Sequence, residues 1–261
     1  MKSLFTLKSH ESKRLIAKGV SQLPELNQAL KEGKIALAGG TTNGYIAEEL
    51  TGQQLEKGFY TAGIITEGVQ CTTSGHERLS PMLLNNGKVT QENLMDAVKG
   101  FTGNDVFIKG ANALDPDYNA GVLLGSDVGG TMSIYPLLTA RGCHLIIPVG
   151  REKLIPSVPE ASESLGIDTI DKRIGMACGM LAITNGKVIT EVEALELLFD
   201  VKATHVASGG IHGSEGACTF TIEGEEDQIE KAFNLIKELK KEPALAGERK
   251  ECSQCGSPCD R

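Results

Sequence analysis

DVFIKGANALDPDYNAGVLLGSDVGG, residues 105–130, is the stretch whose reading decides the fold. Val106, Phe107 and Ile108 form a short β-prone apolar run, and Lys109 and Gly110 end it. A buried strand that stops at a polar, glycine-containing loop puts that loop at the carboxyl edge of a sheet, where open α/β folds bind their ligands. Lys109, Asn112, Asp115, Asp117, Asn119 and Asp127 crowd the residues that follow. So many ionisable and hydrogen-bonding groups beside a buried strand mark a candidate site. A long turn held by local side-chain-to-backbone bonds would have the same composition.

Outward from this stretch, strand and helix signals alternate. On the amino-terminal side, residues 1–33 read as helical, with Pro24 opening a second helix after Ser21. Residues 34–38 read as a short buried strand, followed by Gly39-Gly40-Thr41-Thr42-Asn43-Gly44 and a helix that begins near Tyr45. Strand, Gly/Thr loop and helix together aim backbone N–H groups and a positive helix end at an anion. A strand is expected at 59–65, a loop able to cover a pocket at 66–86, and a short helix at 92–98. On the carboxyl-terminal side, 131–141 reads as a helix capped by Thr131, with a late start or a kink at Pro136. Residues 143–149 read as a strand that ends at another polar edge holding Lys153.

This alternation predicts an α/β fold, a mainly parallel sheet with helices on both faces. Further on, 179–183, 191–199, 204–208, 218–222 and 225–240 read in the order β-α-β-β-α, that of a small ferredoxin-like unit. The expected domains are therefore 1–160, an α/β domain; 175–241, a ferredoxin-like domain; and 242–261, a charged linker and cysteine-rich tail.

Composition narrows the class. The chain has 261 residues, only 4% aromatic, no Trp, and a net charge of -8. The core must be aliphatic, and an acidic chain with no extended basic patch argues against nucleic acid as a partner. No window approaches the roughly 18 apolar residues of a membrane span, and the amino terminus has no secretory pattern. Cys71, Cys143, Cys178 and Cys218 are scattered through the body, which fits thiols in a reducing cytoplasm.

Two segments together resemble the ribose-5-phosphate isomerase branch of the NagB/RpiA/CoA-transferase-like superfamily. ALAGGTTNGYIAEEL at 36–50 is similar to that family's Gly-Thr-Gly-Ser-Thr phosphate loop and its helix, and KGANALDPDYN at 109–119 is similar to its Asp-Gly-Ala-Asp-Glu-(Ile/Val)-Asp-Pro segment. HLIIPVGREKL resembles the strand and Lys-Leu ending that follow, and order and spacing agree over roughly 30–155. The resemblance places Gly40, Thr41 and Thr42 at a phosphate, and Gly39, Asn43, Gly110, Asn112 and Lys153 are expected to share in binding the ligand. Gly129, Gly130 and Thr131 look like the Gly-Thr turn of the methylthioribose-phosphate isomerase and initiation-factor-2B relatives. The family's first Asp is Lys109 here, a second is Asn112, and the isomerase's lysine and catalytic glutamate have no counterpart; Asp115 alone keeps its carboxylate.

The expected role is thus binding of a small phosphorylated or anionic metabolite by a cytoplasmic homo-oligomer, without efficient ribose-5-phosphate isomerisation and without nucleic-acid or membrane partners. One alternative is a sugar-phosphate isomerase-type enzyme using Asp115 and Asp127, with Lys109 neutralising developing negative charge. Another centres on the tail CSQCGSPCDR. Cys252, Cys255 and Cys259 bring three thiols close in sequence, as Zn²⁺ or an iron–sulfur cluster requires, with a fourth ligand from elsewhere.

Overall fold

The computed structural model describes residues 1–125, 128, 132–255 and 259–260. Its first elements are β1 (Lys2–Leu7), α1 (Ser9–Val20), α2 (Pro24–Glu32), β2 (Lys34–Leu37), α3 (Thr41–Thr51), β3 (Gly63–Thr66), β4 (Val69–Thr72), β5 (Met82–Asn85), β6 (Lys88–Thr90) and α4 (Leu94–Val98). There follow β7 (Val106–Ile108), β8 (Ala113–Leu114), β9 (Ala120–Leu124), α5 (Tyr135–Arg141), β10 (His144–Pro148) and α6 (Val158–Glu163). The chain closes with β11 (Gly179–Ile183), β12 (Lys187–Ile189), α7 (Glu191–Phe199), β13 (Lys202–Gly209), β14 (Ala217–Glu223) and α8 (Glu226–Leu239).

This is a mixed α/β fold. Its largest sheet has six strands in the order β12-β10-β7-β2-β5-β6. β12, β10, β7 and β2 run parallel, while β5 and β6 add an antiparallel edge. The alternation of side chains along a strand divides the core into two layers. Ile35, Leu37, Val106, Ile108 and Ile146 face α1, α2, α3 and α7. Ala36, Phe107, Leu145 and Ile147 face α4, α5 and β9. No helix among the described residues is long and apolar enough to cross a membrane.

Three expectations change. Residues 2–7 are not helical: β1 pairs antiparallel with β14, from Lys2 opposite Glu223 to Leu7 opposite Cys218. Its period-2 burial of Phe5 and Leu7 makes sense only against a strand more than 200 residues away. Residues 179–183 do not enter the small sheet expected of a ferredoxin-like unit; β11 pairs with β9 instead, and the three-stranded sheet is β1-β14-β13. Finally, the 66–86 and 109–130 stretches are not loops throughout. They contain the β3–β4 hairpin, β5, and the β8–β9 hairpin.

Candidate functional site

Three parallel strands, β2, β7 and β10, end side by side, and the segments leaving them build one rim. Ala38 N donates to Ile108 O at 3.0 Å and Lys109 N to Ile146 O at 3.0 Å, so the three ends stay in register beyond the strands themselves. Asn43, fully buried in the first turn of α3, donates Nδ2 to Ala38 O at 2.7 Å and Ile108 O at 3.1 Å. One amide thereby ties the ends of β2 and β7 to the helix that follows β2. Its Oδ1 has no partner.

A cavity of about 1090 Å³ opens over this rim. Gly39, Gly40, Thr41 and Thr42 line it from the β2 side, Lys109, Gly110 and Asn112 from the β7 side, and Lys153 from the turn after β10. Most of the residues expected to hold an anion are therefore gathered at one place. The β3–β4 hairpin, residues 78–81 and 90–95, β9, Cys178 and residues 245–247 form most of the remaining walls. The last of these belong to the segment expected as a linker. It docks instead: Lys250 N donates to Thr72 O at 2.7 Å, and Arg249 pairs with Glu67 at 3.0 Å.

The electrostatics of the rim are one-sided. The ammonium of Lys109 donates to Gly110 O at 3.0 Å and that of Lys153 to Ala111 O at 2.7 Å. Carbonyls are the hydrogen-bond acceptors that both lysines use among the described residues. Burial, and then the nearby Lys153 charge, pull Lys109 down to about 8. Its side chain is half-buried, and desolvation is the larger of the two causes. Arg78, which also lines the cavity, binds Thr73 Oγ1 at 3.0 Å and Thr73 O at 2.9 Å, both neutral acceptors. Beside these cations α3 begins at Gly40 without a side-chain cap. The first N–H groups of an α-helix have no acceptor within it, and they carry the positive end of the dipole.

Other expected residues lie elsewhere. Asp115 is buried in the loop that joins β8 to β9 and does not line the cavity. Its carboxylate accepts from Asp117 N at 3.0 Å, Asn119 N at 2.9 Å, Asn119 Nδ2 at 3.0 Å and Val158 N at 3.0 Å. Those donors outweigh burial and hold its pKa below the ordinary carboxylate value. Such a group organises a turn and is poorly placed to take a substrate proton. Asn43 supports the rim from below rather than lining it. Asp127, Gly129, Gly130 and Thr131 lie outside the described residues. Among the described residues Glu92 is the carboxylate on the cavity wall, and it pairs with Lys34 at 3.4 Å. In the tail, Cys252 is exposed while Cys255 and Cys259 are half-buried.

Sequence reasoning missed Arg78, whose only signal was its place in a stretch expected to cover a pocket. It also missed a buried group formed by Glu152, Glu191 and Cys218, whose members are far apart in the chain.

No family model matches the chain, and no curated protein matches it. A solved structure described as D-ribose-5-phosphate isomerase in complex with phospho-erythronic acid is similar over 87% of this chain and 86% of its own, at 13% identity and a TM-score of 0.32. A superposition that loose lends no weight to an assignment, which must come from the side chains themselves.

Proposed function

We propose that the cavity binds a small phosphorylated or otherwise anionic metabolite. The observation that carries this reading is that Lys109 and Lys153, among the described residues, pair with carbonyl oxygens and no carboxylate, beside an uncapped helix start. Two ammonium groups held close without a carboxylate disfavour each other, and an anion placed between them relieves that cost. The backbone at Gly39 and Gly40 leaves room, because a Cβ at either position would meet only ordinary contacts at 3.7 Å. The space above these groups can therefore hold a ligand oxygen near the N–H groups of Thr41 and Thr42.

Binding suits the site better than acid–base catalysis through Asp115, whose oxygens are already engaged. A narrower enzymatic reading is favoured by Lys109. An amine near 8 exists in both protonation states around neutral pH and can carry a proton to or from a bound sugar phosphate. Thermal-shift titrations with sugar phosphates, each beside its unphosphorylated sugar, test the binding reading. Stabilisation by the phosphorylated member only, lost in Lys109→Met, is expected. Equal responses to both members would refute it. Solvent-deuterium incorporation into the best ligand tests the enzymatic reading separately.

A further inference from the structure

Beneath the turn that carries Lys153, a second polar group is enclosed in the core between α1, α7 and β14. A carboxylate oxygen of Glu152, one of Glu191 and the Cys218 sulfur all lie within 4.8 Å of one another. Glu191 and Cys218 are fully buried. Glu191 Oε2 accepts from Arg151 N at 2.9 Å and the Ser12 side chain lies beside this carboxyl, but Glu191 Oε1 and Glu152 Oε2 have no well-formed hydrogen bond among the described residues. A buried oxygen without a donor is destabilising, and here two such oxygens belong to carboxylates gathered beside one thiol. Glu152 turns inward beside a glycine: a Cβ at Gly150 would land 1.9 Å from its Oε2.

We propose that Glu152, Glu191 and Cys218 form a binding site for a divalent transition-metal ion, with Zn²⁺ the best match. Two hard oxygens and one soft sulfur make a borderline donor set, which suits Zn²⁺ and Co²⁺ better than Ca²⁺ or Mg²⁺. Neighbouring donors around tetrahedral zinc lie about 3.5 Å apart, so a small inward rotation of Glu152 closes the triad. Lys13, nearly enclosed, places its ammonium 3.9 Å from Glu152 Oε1. Two carboxylates and a thiolate carry three negative charges; the ion and Lys13 return three positive ones. A filled site is thus neutral, as a buried site must be to avoid a large desolvation cost. The proton of Cys218 leaves to solvent when the metal–sulfur bond forms. The Ser208 hydroxyl, 3.4 Å from the Cys218 sulfur, is a further oxygen at hand for a fourth ligand.

The test uses the full chain with Cys252, Cys255 and Cys259 replaced by serine, so that tail thiols cannot contribute, and Co²⁺ as the probe. One equivalent of Co²⁺ should bind and produce a thiolate-to-cobalt charge-transfer band, which Zn²⁺ should bleach. Cys218→Ala should abolish the band, and Glu191→Gln should weaken binding by more than about tenfold, since even indirect supporting groups matter by that factor. Circular dichroism and the thermal midpoint show whether each variant is folded. Substoichiometric uptake by the folded parent chain overturns the proposal. So does a band that survives Cys218→Ala, which would place the metal on another thiol.

Discussion

Two groups of enclosed charge lie at opposite ends of α3 and are built on opposite principles. At its carboxyl-terminal half, Arg14 binds Glu48 at 2.5 Å, Glu49 at 3.0 Å and Glu242 at 2.9 Å, and Lys57 closes on Glu48 at 2.7 Å. Arg14 also stacks over Tyr45, 4.7 Å from the ring centre. Every charge there has a partner of opposite sign, and the group pins α1, α3 and residue 242 together. At the amino-terminal end, the acceptors of Lys109 and Lys153 among the described residues are carbonyls. Paired charge is spent on holding elements together, whereas positive charge left without a carboxylate is available to a ligand. The two regions should therefore respond oppositely to substitution.

The largest effect belongs to the paired region. Arg14→Ala leaves Glu48 nearly inaccessible beside Glu49 and Glu242, and should cost about 3 kcal/mol of stability. Denaturant titration measures this, and anion affinity should not change. Asp115 extends the same rule to a carboxylate. Asp115→Ala strips the acceptor from four donors and should destabilise by about 2 kcal/mol, seen as a lower thermal midpoint. Loss of ligand turnover or affinity without loss of stability would instead return Asp115 to the site.

Lys109→Met probes the unpaired region. Removing an ammonium that has no carboxylate partner among the described residues should leave stability within about 1 kcal/mol of the parent, while anion affinity falls by about 10- to 100-fold. Titration calorimetry and unfolding of one preparation give both numbers. The smallest effect is a pH dependence. Because Lys109 is lowered to about 8, its charge fades as pH rises through that value. Affinity for a ligand already fully ionised should fall about eightfold between pH 7.5 and 9. Linkage gives the free protein the opposite slope. Between about 8 and the ordinary lysine value the unfolded chain holds more protons, so the lysine's contribution to stability grows with pH.

Local pattern carried much of this architecture. The apolar runs at Lys34–Leu37, Val106–Ile108 and His144–Pro148 are strands of the main sheet, as their sequences indicate, and the Gly-Gly-Thr-Thr turn opens a helix as expected. Lys109 and Lys153 were visible because a strand followed by a polar loop marks a sheet's ligand edge. What local pattern could not reveal depends on distant pairing. β1 is a strand because β14 receives it, and residues 120–124 pair over their whole length with the distant Gly179–Ile183. Asp115 illustrates a different limit. An aspartate in an Asp-Pro-Asp turn reads equally as a base or as a turn acceptor, and only the positions of Asn119 and Val158 decide between them. Glu152, Glu191 and Cys218 share no motif at all; the fold alone brings them together.

Anomalous diffraction from crystals soaked in tungstate, a heavy analogue of phosphate, tests the central claim most directly. The account predicts a peak in the cavity within hydrogen-bonding distance of the Lys109 and Lys153 ammonium groups and the N–H groups that open α3. An open cavity without that peak, alongside tungstate bound elsewhere on the surface, would contradict it.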